Sequence, residues 1–132
     1  MKANDVMVGD WVYCKAHKKN GRVYRIDQAN GKGNGWIAVI DGDFHESRIE
    51  PILLTPKILE NNCFTDYGES WFIPTQKNDV HIRIGFHRRD SEIDIYDEHH
   101  LSFRRSFEPN KLYVHNLQQA LRICGIEKEI VL

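Results

Sequence analysis

The sequence predicts an α+β fold: a small curled antiparallel β-barrel, a short helix, a second antiparallel sheet, and a C-terminal amphipathic helix. Three observations predict it. Short apolar runs broken by glycine turns fill the first fifty residues. Apolar and polar residues alternate with period two from about residue 71 to 107. The stretch "KLYVHNLQQALRICGI", residues 111–126, changes to helical spacing.

The barrel elements follow in order. "GDWVYCK" begins with the turn pair Gly9-Asp10, then apolar Trp11 and Val12. "GRVYRID" sets Val23 and Ile26 among polar residues. "ANGKGNG", residues 29–35, is three glycines and two asparagines, types suited to a turn with positive φ. "WIAVIDGD" is an apolar run closed by Asp41-Gly42, a hairpin signal. "SRIEPI" ends the set. The expected barrel spans residues 1–53, with the boundary near Leu53–Thr55. The remainder, 54–132, is expected to join it in one unit.

"LTPKILENNCF" predicts a helix over 55–62. Thr55 suits the N-cap, Pro56 the first helical position, and Ile58 and Leu59 an apolar side. Asn61-Asn62 is expected to end it in a left-handed turn. In "VHIRIGFH", Val80, Ile82, Ile84 and Phe86 share one face; His81, Arg83, Gly85 and His87 share the other. "EIDIY" places Ile93 and Ile95 on the core side. A four-residue turn at "RRDS" would set Phe86 opposite Ile93, Ile84 opposite Ile95, His87 opposite Glu92 and Arg83 opposite Tyr96. "LSFRRSF" reads as a third strand, and "EKEIVL" as a closing strand or docked tail.

The last helix is expected over 113–124. At about 100° per residue, Val114, Leu117, Leu121 and Cys124 form an apolar stripe edged by Ala120 and Tyr113. His115, Gln118, Gln119 and Arg122 fall on the opposite, wet side. Gly125 is placed to cap it in the left-handed region.

The totals narrow the function. The chain has 132 residues, 41% apolar and 28% charged, with a net charge of −1. That is globular composition with no overall field for nucleic acid or membrane. Cys14, Cys63 and Cys124 are far apart and odd in number, which predicts reduced thiols in a cytoplasmic protein. No apolar run approaches a secretion signal or a membrane span.

Several constellations could carry chemistry. His81, His87, His99 and His100, with Asp94, Asp97 and Glu98, lack compact metal-ligand spacing. His81 and His87 lie roughly 20 Å apart along an extended strand. There is no GxSxG elbow, and neither Cys14 nor Cys63 opens a helix that would favour a thiolate. The carboxylate pairs Asp41/Asp43 and Asp94/Asp97 fall in turn or surface contexts, and "GKGNG" lacks the helix of a phosphate loop. The expectation is therefore no catalytic residue, no metal and no cofactor. A basic stripe is better supported. Lys15, Lys18, Lys19, Arg22 and Arg25 occupy 11–26 with no acid among them, interleaved by Trp11, Tyr13 and Tyr24. Such a stripe suits nucleic acid through phosphate contact and base stacking. Arg88-Arg89 and Arg104-Arg105 form a second basic set on the sheet.

Two resemblances add to this reading. "VGDWVYCKAHKKNGRVYRID", "WIAVIDGD" and "SRIEPI" resemble small Src-homology-like barrels of the KOW or Tudor sort, carried by Gly9-Asp10 and Gly21. The resemblance implies binding to nucleic acid, ribosomes or protein tails. "MKANDVMVGDWV", "IEPILLTPKILENNCF" and "YVHNLQQALRICGIEKEI" resemble small proteins of gut anaerobic bacteria, many from prophages or mobile elements. That implies a bacterial or phage setting and brings no activity. Those proteins tend to carry glycine where Cys63 stands, which argues against a shared catalytic thiol.

The sequence thus favours non-enzymatic binding, by an accessory module contacting a protein partner. The candidate surfaces are the barrel rim (Trp11, Tyr13, Lys15, Lys18, Lys19, Arg22 and Arg25) and the last helix (His115, Gln119 and Arg122). Nucleic-acid binding through the basic stripe is the alternative. A small hydrolase, metal-dependent or otherwise, is third. No membrane partner is expected.

Overall fold

The first strand begins with a knot of short-range hydrogen bonds. Gly9 adopts φ +94°, a conformation that glycine enters without steric cost. The Asp10 side chain is buried, and its Oδ2 accepts from the Met7 N–H at 2.8 Å. The Asp10 N–H donates to the Met7 carbonyl at 3.0 Å. This turn delivers the chain into β1 (Trp11–Cys14), where Val12 and Cys14 face inward and Trp11 and Tyr13 outward.

The computed structural model describes residues 1–29, 34–39, 42–74, 80–97 and 100–132. The centre of the expected glycine-rich turn, and Asp41 of the Asp-Gly hairpin, lie outside these residues. The chain divides into two units, Met1–Ile52 and Leu53–Leu132.

Unit 1 continues with β2 (Lys19–Ala29), β3 (Asn34–Val39), β4 (Gly42–His45), a 3-10 turn at Glu46–Arg48, and β5 (Ile49–Glu50). The strand order is β4-β3-β2-β1-β5, all antiparallel. The meander therefore returns to its own first strand, which curls the sheet into a half-barrel. β2 is shared between neighbours. Its start pairs with β1 through Lys19–Arg22, and its remainder with β3. The register slips between Val23 and Arg25, a bulge of the kind that bends a strand. Inside lie Val12, Cys14, Val23, Ile37, Val39 and Ile49, joined by Ala3 and Val6 from the N-terminal segment. Glu46 fastens that segment. Its Oε2 accepts from the Ala3 N–H at 2.8 Å, and Lys2 Nζ reaches Oε1 at 3.4 Å. The approach leaves no room on Gly35, where an added Cβ would collide with Ala3 and sit 2.9 Å from Glu46 Oε2.

Unit 2 opens with α1 (Pro56–Asn61), capped by Thr55, whose hydroxyl accepts from the Ile58 N–H at 3.3 Å. Five strands follow: β6 (Thr65–Asp66), β7 (Ser70–Pro74), β8 (His81–Phe86), β9 (Ser91–Tyr96) and β10 (Leu101–Phe107). They form an antiparallel meander ordered β10-β9-β8-β7-β6. α2 (Val114–Ile123) ends the regular structure. Buried Ile82, Ile84, Ile93 and Ile95 line one sheet face, and Val114, Leu117, Ala120 and Leu121 are buried along α2. Complete burial of each large aliphatic side chain contributes about 1.5–3 kcal/mol. No described helix is long and apolar enough to cross a membrane.

Four expectations need correction. The β8–β9 turn is His87–Asp90, not Arg88–Ser91: Phe86 pairs with Ser91 and the His87 N–H donates to the Asp90 carbonyl at 2.8 Å. Moving the turn by one residue slips the pairing by two. Ile84 therefore meets Ile93, and Arg83 meets Asp94 instead of Tyr96. Both faces survive because the side-chain period is two. Second, α1 ends in a left-handed residue at Cys63, with φ +68°, and not at an asparagine. The Phe64 N–H reaches the Leu59 carbonyl at 3.0 Å and the Cys63 N–H the Glu60 carbonyl at 3.1 Å, closing a Schellman motif. Third, Cys124 is half-buried rather than a core residue, and burial still pushes its thiol pKa up. Fourth, the supposed wet side of α2 is partly dry: His115 and Gln118 are each only 5% exposed.

Candidate functional site

The barrel rim carries the predicted residues, but folding breaks the basic stripe. Trp11 and Tyr13 are half-buried on the outer face of β1. Arg22 lies opposite Trp11 in register, its guanidinium 5.3 Å from the ring centroid. Lys15 pairs with Glu50 at 3.1 Å. Arg25 grips Asp43 through Nη2 at 2.9 Å and Asp27 through Nε at 3.1 Å. Asp43, and then Asp27, hold its pKa above the ordinary value. Lys18 and Lys19 are exposed at the turn into β2, with Lys18 at φ +52°. The stripe has no acid in sequence, yet β4 and β5 bring carboxylates to it.

In α2 the three predicted contact residues separate. His115 is buried, Gln119 half-buried and Arg122 exposed. The His115 ring stacks against Tyr113, with centroids 5.7 Å apart and planes at 11°. Asn116 caps the helix start by accepting from the Tyr113 N–H at 2.9 Å.

The most developed polar constellation lies on the outer face of the second sheet. Its centre is Asp94, 1% exposed on β9. Strand pairing sets Arg83 of β8 on one side and Arg104 of β10 on the other. Arg83 donates to Oδ2 through Nε at 3.1 Å and also through Nη2. Arg104 donates to Oδ1 through Nε at 2.8 Å. Arg83 Nη2 also reaches Glu92 Oε1 at 2.8 Å, and His87 Nε2 lies 3.4 Å from the same oxygen. Burial alone would push the Asp94 carboxyl up. The hydrogen bonds from Arg104 and Arg83 outweigh it and hold the group below its ordinary value. In return, Asp94 raises both guanidiniums.

An open cleft of about 380 Å³ lies here, lined by Arg83, Asp94, Tyr96, Asp97, His100, Leu101 and Arg104. Arg104 enters the Asp94 contact through Nε alone, so among the described residues its two terminal nitrogens have no hydrogen-bond partner. Beside this line runs a row of rings. Tyr67 meets Phe72 edge-on at 5.9 Å, Phe72 stacks on His81 at 5.1 Å, and His81 lies 5.6 Å from Tyr96. The arrangement can hold an oxyanion on a guanidinium and apolar or planar groups beside it.

Of the proposed metal set, His99 and Glu98 lie outside the described residues. Among the described residues, no three His, Cys, Asp or Glu side chains gather as metal ligands. The Arg83–Asp94–Arg104 line was missed because it depends on register. The signal was present: "HIRIG", "SEIDIY" and "SFRRSF" each place a charge in the polar phase of a strand. A turn set at His87–Asp90 aligns Arg83 with Asp94, and the separate register of β10 on β9 brings in Arg104. No family model, curated protein or solved structure matches this chain.

Proposed function

We propose that this protein is a non-enzymatic binding module that contacts a protein partner, in the bacterial or phage setting its sequence resemblance implies. The observation that carries the reading is Arg104, pinned by buried Asp94 through Nε with its terminal nitrogens unengaged at a solvent-open cleft. A guanidinium held in this way has less freedom to lose on meeting a carboxylate. The contact surface is thus the outer face of the second sheet, which adds to the rim and helix surfaces considered from the sequence. Three free thiols, Cys14, Cys63 and Cys124, fit a reducing cytoplasm.

The test is affinity capture from the native host with wild-type protein and with Arg104→Asp, after nuclease treatment. A protein retained by the wild type and lost from a folded variant supports the reading. Identical retention by both, or retention that nuclease abolishes, overturns it.

A second reading, nucleic acid on the barrel rim, has one observation in its favour: the Arg22 guanidinium lies over half-buried Trp11. Binding to labelled random DNA or RNA that falls steeply with salt, and with Lys18, Lys19 and Arg22 changed to Ala, would support it. Flat titrations at low salt would retire it.

A further inference from the structure

β10 is a seven-residue strand at the edge of its sheet, with β9 as its one paired neighbour among the described strands. The opposite edge strand, β6, has two residues. β10 is regular from Phe103 to Phe107, after a register shift between Leu101 and Phe103. None of its residues is buried. A bare edge of this length presents backbone donors and acceptors to any extended chain that reaches it.

Proteins commonly defend such an edge with hydrated, mobile charges. The charges on β10 are not mobile. Arg104 is fixed by the buried Asp94 carboxylate, and the Arg105 guanidinium lies 4.9 Å from the centroid of the Phe107 ring. Successive residues point to opposite faces, so one arginine is held on each side of the edge. Phe107 pairs with Ser91, which brings the Arg88-Arg89 turn beside the same end of β10. β10 itself carries two arginines and no acid, and with Asp94 holding Arg104 in place these arginines are preorganised for oxyanions.

We propose that β10 is a docking strand. An extended acidic segment of the protein partner pairs with its free edge as an added strand. One carboxylate of that segment sits on the terminal nitrogens of Arg104, in the cleft beside Tyr96 and Leu101. The backbone supplies the register and the arginines select acidic sequence. This rests on the reading of the second sheet as the partner-binding surface, and names the chemistry of the partner.

The test uses a short peptide alternating threonine and glutamate, titrated into isotopically labelled full-length protein and followed by NMR. The expected result is shifted amide signals along Phe103–Phe107 and slowed hydrogen exchange there. A peptide with lysine for glutamate, a backbone N-methylated acidic peptide, and the Arg104→Gln protein should each bind about tenfold or more weaker. Arg104→Lys, which keeps the charge and loses the fork, should fall between Arg104→Gln and wild type. No binding at millimolar peptide, equal binding of the lysine or N-methylated peptide, or shifts that avoid β10 would each overturn the proposal. If peptide binding fails while Arg104-dependent capture of a host protein persists, strand addition falls and the partner surface stands. If peptide binds as expected but capture does not depend on Arg104, the docking strand stands and the natural partner lies elsewhere.

Discussion

The side-chain amide of Asn62 closes both backbone hydrogen bonds of Val131, 69 residues further along the chain. Its Nδ2 donates to the Val131 carbonyl at 2.7 Å and its Oδ1 accepts from the Val131 N–H at 2.8 Å. The same Nδ2 donates to the Ile58 carbonyl at 2.7 Å. One buried amide thus finishes α1 and stands in for a strand partner to the tail, where Ile130 is 1% exposed. Asn62→Ala is expected to cost about 1–3 kcal/mol, because buried groups lose their partners. Hydrogen exchange at Val131 should accelerate well beyond that of β8 and β9. Unchanged protection at Val131 would mean that the neighbouring tail residues, with buried Ile130 among them, hold the tail without the Asn62 amide.

Cys63 and Gly125 occupy the same place after the two helices, each at φ +68°. At Gly125 the motif is closed by Ile126 N–H to Leu121 O at 2.8 Å. A side chain in that region costs about 1 kcal/mol, which glycine avoids. Cys63→Gly should therefore raise stability by about 1 kcal/mol and Gly125→Ala lower it by a similar amount. Thermal unfolding of both variants checks the pair; shifts of the same sign would contradict it.

Gly35 makes space for Ala3 and Glu46. Gly35→Ala should cost about 1–3 kcal/mol by overpacking. Ala3→Gly added to it should restore part of the loss, since the colliding methyl is removed. Additive destabilisation in urea titrations would show that the clash is relieved elsewhere.

Asp94 links stability to acid. Its folded pKa is depressed, so its contribution is complete at neutral pH. The contribution begins to fade below about pH 4, the ordinary aspartate value, and is gone once pH passes the lower folded value. Asp94→Asn removes this titration. The urea midpoint of the wild type should fall more steeply over that window than that of the variant, and parallel curves would exclude the linkage.

At neutral pH, Asp94→Ala leaves Arg83 without its main partner. A loss of about 1–3 kcal/mol is expected, with Arg83→Gln close behind and Arg104→Gln smaller, since Arg104 is more exposed. Equal losses at Arg83 and Arg104 would contradict the asymmetry of the two contacts.

Much of the architecture was written in local pattern. The alternation of Ile82, Ile84, Ile93 and Ile95 determined which sheet face is dry, because a strand has a period of two. Thr55-Pro56 marked the start of α1, and Gly125 the end of α2, because capping and left-handed geometry belong to single residues. Gly9-Asp10 likewise opened β1.

The site was decided in three dimensions. A one-residue difference in turn placement leaves every apolar residue on its proper face and changes every polar partner. Periodicity could therefore predict a polar face, and only the observed register could join Arg83, Asp94 and Arg104. The basic stripe failed as a continuous field for a related reason. Its neutralising partners come from outside its own segment: Glu50 from β5, which pairs with β1, and Asp43 from β4, which lies beyond β3. Helical angle places His115 and Gln118 toward solvent, yet both are buried, because burial depends on what packs around a helix. The sequence alone determined the elements and their apolar faces, since those follow from backbone period and single-residue conformation. Register and long-range packing, which local pattern does not encode, determined which charges meet.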